Sequence, residues 1–199
     1  FHTDFKIIHH NTSVDDANRF IGFHNYPKAD ENTIKLKYDE SLYNCNPDLY
    51  FNSNVIKEIR DNYYLNKKPK NIYTNYIAIH IRRGDVNEIN CPDRFNSIEY
   101  YLNLIPKLIK LYPDKKLVVF SEGTINDFRY LEDEFDITID LDTDEFKVFN
   151  SMVEADVLVI ARSSFSYLAA LLNPNKIHYD VLKNRMWFSQ PKKEWLVTP

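Results

Sequence analysis

From about residue 71 onward the chain repeats one pattern, and that pattern most narrows what it can fold into. Short apolar runs, rich in β-branched residues, alternate with amphipathic stretches. The runs are Tyr76 to Ile81, Leu117 to Phe120, Ile137 to Ile139, Val157 to Ile160 and Lys176 to Tyr179. Between them, Ser97 to Leu111 places Leu102, Ile105, Leu108 and Ile109 on one side of a helix, with Pro106 as an internal cost and Pro113-Asp114 as its stop. Ile125 to Phe135, Glu145 to Val153 and Phe165 to Leu172 also read as helices. Strands that are apolar throughout must be covered on both sides. The pattern therefore predicts a parallel sheet with helices on both faces. Such sheets bind ligands at the carboxyl ends of their strands, which is where chemistry is to be sought.

The segment before this, residues 1–70, is irregular and aromatic. Ile7-Ile8 and Ile34 to Leu36 suit short strands. Asn52 to Tyr64 reads as a helix, with Ser53 as N-cap and Val55, Ile59 and Tyr63 at helical spacing. Asn66 to Pro69 then breaks the pattern as a linker. The expected division is an N-terminal region of residues 1–70, an abbreviated acceptor part, followed by a domain of residues 71–199.

Composition removes several alternatives. With 44% hydrophobic residues the chain can build a core, and with only 3 Gly and 9 Pro it is not a low-complexity segment. A net charge of -4 argues against nucleic acid as a partner. Lys67-Lys68 and Lys192-Lys193 read as solvated faces. Cys45 and Cys91 make neither a disulfide framework nor a zinc ribbon, and His9-His10 and His24 lack a ligand quartet. No apolar run reaches the roughly 18 residues that a membrane helix needs. Asn11-Thr12-Ser13 matches the glycosylation sequon. The start, Phe1-His2-Thr3-Asp4, has no signal-peptide pattern. This weights the expectation towards the cytoplasm, although a catalytic fragment trimmed from a luminal enzyme would read the same.

Two strand ends carry charge or hydroxyls. After the first comes His80-Ile81-Arg82-Arg83-Gly84-Asp85. Adjacent arginines at a strand end call for an anion, and the guanidinium fork matches phosphate oxygens. Neighbours on a strand point to opposite faces, so the two arginines have different jobs: one reaches a ligand and the other pairs with a carboxylate such as Asp85. Gly84 permits a positive φ. The competing reading is an Arg–Asp pair that pins a loop. After the fourth strand comes Arg162-Ser163-Ser164-Phe165-Ser166, where a helix N-terminus with three hydroxyls can hold an anion or simply be capped by serine. The only glycines are Gly22, Gly84 and Gly123, so there is no dinucleotide fingerprint and no P-loop. A phosphorylated ligand here would rest on arginine and a helix terminus.

These residues resemble a known family. Ile79-His80-Ile81-Arg82-Arg83-Gly84-Asp85 is similar to the H-x-R-R-x-D motif of the fucosyltransferase superfamily, the α-1,2-, α-1,6- and protein-O-fucosyltransferases. Val118-Val119-Phe120-Ser121-Glu122 resembles its second motif. Met152 to Asp156 through Ser163-Ser164-Phe165-Ser166 resembles its third, and the three occur in the family's order over roughly Asn75 to Asp180. Ser121-Glu122-Gly123 replaces the usual Ser-Asp-Asp, and Tyr167 stands where tryptophan often follows; these departures bear on donor sugar and acceptor. The resemblance implies a Rossmann-like, GT-B-like nucleotide-sugar-binding domain. It also implies inverting, metal-independent transfer of a sugar, first of all fucose from GDP-fucose, to a glycan acceptor, with no cofactor. Arg82 would contact the donor diphosphate, His80 and Asp85 would support its loop, and Arg83 and Ser121 would belong to the same donor site. The turn of Ser163, Ser164 and Ser166 would hold phosphate or ribose, and Asp140 or Asp142 would meet the guanine. Glu88 and Glu122 are candidates for the base that deprotonates the acceptor.

Two other readings stay open. Asp140-Leu141-Asp142-Thr143-Asp144 contains overlapping D-x-D triplets, which in another glycosyltransferase class hold a divalent cation against a UDP-sugar. The spacing of Asp142 to Glu145 favours helix capping instead. The third reading is a non-catalytic module that binds a glycan or nucleotide.

Overall fold

The computed structural model describes residues 6–9, 33–36, 54–66, 71–180 and 194–199. Ser53, Asn11-Thr12-Ser13, His10, His24, Cys45, Lys67-Lys68 and Lys192-Lys193 lie outside these residues. Contacts divide the chain into two units, Phe1–Cys45 and Asn46–Pro199. The first contains β1 (Lys6–His9) and β2 (Thr33–Leu36), paired in parallel with Ile7 opposite Ile34.

The second unit is a Rossmann-like α/β domain. It runs α1 (Asn54–Asn66), β3 (Tyr76–His80), α2 (Ile98–Leu111), β4 (Lys116–Ser121), a 3-10 turn (Ile125–Asp127) and α3 (Arg129–Glu134). There follow β5 (Ile137–Leu141), α4 (Glu145–Glu154), β6 (Val157–Val159), α5 (Ser164–Leu172), β7 (Lys176–Tyr179) and β8 (Leu196–Val197). The six strands β3 to β8 form one all-parallel sheet in the order β5-β4-β3-β6-β7-β8. No helix among the described residues is long and apolar enough to cross a membrane.

The strand β3 is central because it is buried on both faces. Tyr76 and Ala78 point to a core shared with Met152 and Val153 of α4 and with Ala169 and Leu172 of α5. Ile77 and Ile79 point to the opposite core, with Leu104, Ile105 and Leu108 of α2 and Leu131 of α3. Side chains alternate along a strand, so a run without polar residues fills both layers. Each fully buried isoleucine contributes roughly 1.5–3 kcal/mol.

Local signals place most helix ends. The Ser97 hydroxyl caps α2 by accepting from the Tyr100 amide, and α2 runs unbroken through Pro106, whose ring lies on the exposed side. The stretch Ile125 to Phe135, expected as one helix, instead divides at Phe128, a buried residue that closes the 3-10 turn and precedes α3. The cap of α4 also differs from expectation. Asp144, not Asp142, precedes the first helical residue and accepts from the Lys147 amide at 3.1 Å.

The helix α1 belongs to the same compact unit as the sheet and packs on it. Its Arg60 donates to the Leu171 carbonyl at 2.6 Å and its Tyr63 hydroxyl to Asn150 at 2.6 Å. A linker-like sequence after a helix does not reveal which core the helix joins. The strand β8 was not expected: two half-exposed residues carry no periodic signal.

Candidate functional site

Leaving β3, the chain builds β4 and β5 on one side, then returns to build β6 on the other. The strand order therefore reverses between β3 and β6, and in open α/β sheets the carboxyl edge at such a reversal is where ligands bind. Ile79 lies opposite Val159, so Arg82 and Arg162 each stand three residues beyond a registered pair.

The two arginines of the first motif do take different jobs. Arg83 turns inward: its Nη1 donates to the Arg82 carbonyl at 2.9 Å and its Nη2 to the Asn96 carbonyl at 2.8 Å, and its guanidinium lies 4.5 Å from the centre of the Phe95 ring. Burial pulls its pKa below the ordinary arginine value. It holds the loop and is not directed at a ligand. Arg82 points the other way. It pairs with Asp85, and its Nη1 lies 3.5 Å from Glu122 Oε2 at the end of β4. One arginine was expected to meet the ligand and the other a carboxylate; here the ligand candidate itself holds both carboxylates. At 64% and 51% exposure Asp85 and Glu122 are well solvated, so each pair contributes only about 0–1 kcal/mol. A multivalent anion can displace them.

Gly84 adopts φ +72, as its place between Arg83 and Asp85 suggested, and a Cβ there would clash with the Glu122 carboxylate. The substitution Gly84→Ala is expected to cost about 1–2 kcal/mol from the left-handed backbone alone and to push Glu122 away from Arg82. Urea unfolding checks this; unchanged stability would contradict the strain.

His80, the last residue of β3, is 6% exposed and touches the Phe165 ring edge-on at 5.8 Å. Burial first, then the positive charge of Arg82, push its pKa down to about 3, so the ring is neutral at working pH. Its Nδ1 is buried without a hydrogen-bond partner.

The third motif opens α5. Ser163 occupies the N-cap position, although its hydroxyl makes no cap bond. The first intrahelical bond is Tyr167 N–H to the Ser163 carbonyl, at 3.0 Å. The amides of Ser164, Phe165 and Ser166 therefore lack intrahelical acceptors and carry the positive end of the helix dipole. Ser164 is exposed at this end. Ser166 is not available to a ligand as donor: it is fully buried and its hydroxyl donates back to the Ala161 and Ser163 carbonyls at 3.3 Å. The Ser121 hydroxyl is likewise committed, donating to the Ile81 carbonyl at 2.7 Å and joining the ends of β3 and β4.

The acidic run after β5 is occupied by the protein. Asp140 accepts from the Tyr73 hydroxyl at 2.9 Å and from Thr143. Asp142 sits at φ 52 and accepts weakly from the Gly123 amide at 3.4 Å. Asp144 caps α4. Among the described residues no three His, Cys, Asp or Glu side chains are grouped to hold a metal. Glu88 is exposed in a turn of the loop after β3.

Sequence reading named Arg162 in the string before α5 without giving it a role, and gave none to Asn96 or Asp180. Arg162 Nη2 meets Asp180 Oδ2 at 2.6 Å, with both side chains nearly buried at 13% and 12% exposure, and its Nη1 donates to the Asp93 carbonyl at 3.0 Å. Asn96 Nδ2 donates to the same Asp180 oxygen at 3.1 Å. The available signal was position alone: each of these residues lies at or just beyond a strand's carboxyl end or a helix start.

One hollow, of about 520 Å³, lies at the other end of β3, lined by Asn71, Tyr73, Asn75, Tyr76, Glu154 and Asp156. It is at the amino end of the sheet, opposite the carboxyl ends where sheets of this kind bind ligands. No family model, curated protein or solved structure matches the chain.

Proposed function

We propose that this protein is a nucleotide-sugar-dependent glycosyltransferase that transfers its sugar, fucose from GDP-fucose in the first instance, to a hydroxyl of a glycan acceptor with inversion and without a metal. The observation that carries the reading is that a partly exposed Arg82 and the amide end of α5 follow the two neighbouring strands that flank the reversal in strand order. Together they offer a fork of donors and a dipole to one anionic group.

The chemistry follows from charge. As the bond to the sugar breaks, negative charge grows on the departing diphosphate and positive charge on the sugar. Arg82 and the α5 amides stabilise the first change without reorganising. A diphosphate engaging Arg82 displaces Glu122 from its 3.5 Å contact. The freed carboxylate then stands beside the reacting group, where it can take the acceptor's proton. This favours Glu122 over Glu88 as base. The engagement of Asp140, Asp142 and Asp144 by Tyr73, Thr143, Gly123 and the α4 amides supports a structural role for that run.

The test is thermal unfolding of the wild type and of Arg82→Ala with GDP, UDP, GDP-fucose and UDP-sugars, each with Mn²⁺ and with EDTA. A nucleotide at 100 times its Kd should add about 2.7 kcal/mol, or roughly 5–11 °C. Removing the Arg82 contact should weaken binding by about 1.5–3 kcal/mol, roughly 10- to 150-fold. GDP stabilisation in EDTA that is lost in a folded Arg82→Ala supports the reading. Stabilisation by UDP only with Mn²⁺, indifferent to Arg82, would overturn it in favour of the acidic run. Nucleotide binding without release of GDP from GDP-fucose in the presence of glycan acceptors would make the protein a binding module.

A further inference from the structure

Three loops meet behind the proposed donor site through one chain of polar contacts. Asp180, just past β7, receives Arg162 at 2.6 Å and Asn96 at 3.1 Å on the same oxygen. Arg162 stands immediately before the Ser163 cap of α5 and also grips the Asp93 carbonyl. Asn96 passes the connection on, because its carbonyl accepts from Arg83, and Arg83 in turn donates to the carbonyl of Arg82. The contacts thus run from the end of β7 to the start of α5 and to the backbone of Arg82.

The Arg162–Asp180 pair is nearly buried, and desolvating two charges is expensive. Hydrophobic residues of the same volume would serve stability at least as well. Burial, the second contact of Arg162 and the sharing of one oxygen by two donors instead specify a single arrangement of the loops.

We infer that Asp180, with Asn96, is a positioning residue of the donor site: it holds the loop 82–96 and the α5 entrance in register before ligand arrives, so that Arg82 and the α5 amides address the same diphosphate. This rests on the function proposed above, and it acts through Arg82 without touching the ligand. Neither the i,i+3 pair of Arg82 with Asp85 nor the Ser121 bond to Ile81 does this, since the first lies within one loop and the second joins β3 to β4.

The test uses the full chain with two variants, Asp180→Ala and the milder Asn96→Ala, which leaves the ion pair in place. Hydrogen exchange is read first, without ligand. Amides in 82–96 and 161–166 should exchange about tenfold faster while those of β3 and β4 keep wild-type rates. Affinity for GDP and for inorganic pyrophosphate is then measured where every variant is fully folded. Asn96→Ala should weaken both about tenfold, and the same substitution should have no effect in an Arg82→Ala background, since coupled residues are not additive. Unchanged loop exchange in both variants, or wild-type affinity in a loosened loop, would overturn the inference. An affinity loss that persists without Arg82 would also overturn it. If the wild type binds neither probe, the glycosyltransferase reading falls, and the exchange measurement alone then decides whether Asp180 and Asn96 hold the loops.

Discussion

Lowering the pH from 6.5 towards 3 is expected to remove about 5 kcal/mol of stability through His80 alone. The folded-state pKa of this histidine is pushed down to about 3 by burial and by the nearby charge of Arg82, against 6.5 in the unfolded chain. Between those values the unfolded chain binds a proton that the folded chain excludes. The stability is therefore complete above pH 6.5 and falls with decreasing pH, by about 1.4 kcal/mol per pH unit, until the folded pKa is reached. His178 is a second buried histidine with a lowered pKa and acts in the same direction, so the comparison must isolate His80. His80→Phe keeps the ring's contact with Phe165 and removes a buried nitrogen that has no partner. At pH 7 it should be neutral or slightly stabilising. Urea unfolding of wild type and variant from pH 7 to pH 4.5 should show the wild type losing about one proton's worth of slope more than His80→Phe. Parallel curves would contradict the assignment.

The second large effect concerns Arg162. Arg162→Met leaves Asp180 buried with only Asn96 as a side-chain donor among the described residues, and breaking a buried pair on one side costs about 3–5 kcal/mol. For a domain of this size that is a fall in Tm of roughly 6–20 °C. The double variant Arg162→Met with Asp180→Leu removes both charges and should recover most of the loss, because the penalty lies in the stranded carboxylate and not in the missing attraction. Thermal melts of the three proteins separate these cases. A single variant within about 1 kcal/mol of wild type would mean that the pair behaves as an exposed one. The double variant also serves the positioning argument: it should restore stability without restoring the loop arrangement that the shared Asp180 oxygen specifies.

Both predictions concern residues whose importance is unevenly visible in the chain. His80 and Arg82 stand out as polar residues closing an apolar run, and the five runs from Tyr76 to Tyr179 each became a strand because a parallel sheet covered on both faces needs little else. Ser97 as a cap and Gly84 at positive φ were equally legible, since each reflects a backbone requirement of only a few residues.

What tertiary structure decided was everything that depends on which strands become neighbours. The order β5-β4-β3-β6-β7-β8 brings the loops after β3 and β6 together, and nothing in the spacing of apolar residues encodes that order. Asp180 meets Arg162 because β7 lies beside β6, and meets Asn96, 84 positions away, because the loop after β3 folds across both. Ser166 reads as one of three like hydroxyls, yet the helix turns it into the core and onto its own backbone. Asp144 rather than Asp142 caps α4: Asp142 sits in the left-handed region with its amide donating to the Ser121 carbonyl, and Asp144 directly precedes the helix. Periodicity along a chain records how deeply each residue is buried. It does not record which partner a buried polar group finds, and that is set by strand neighbours whose order arises only when the sheet assembles.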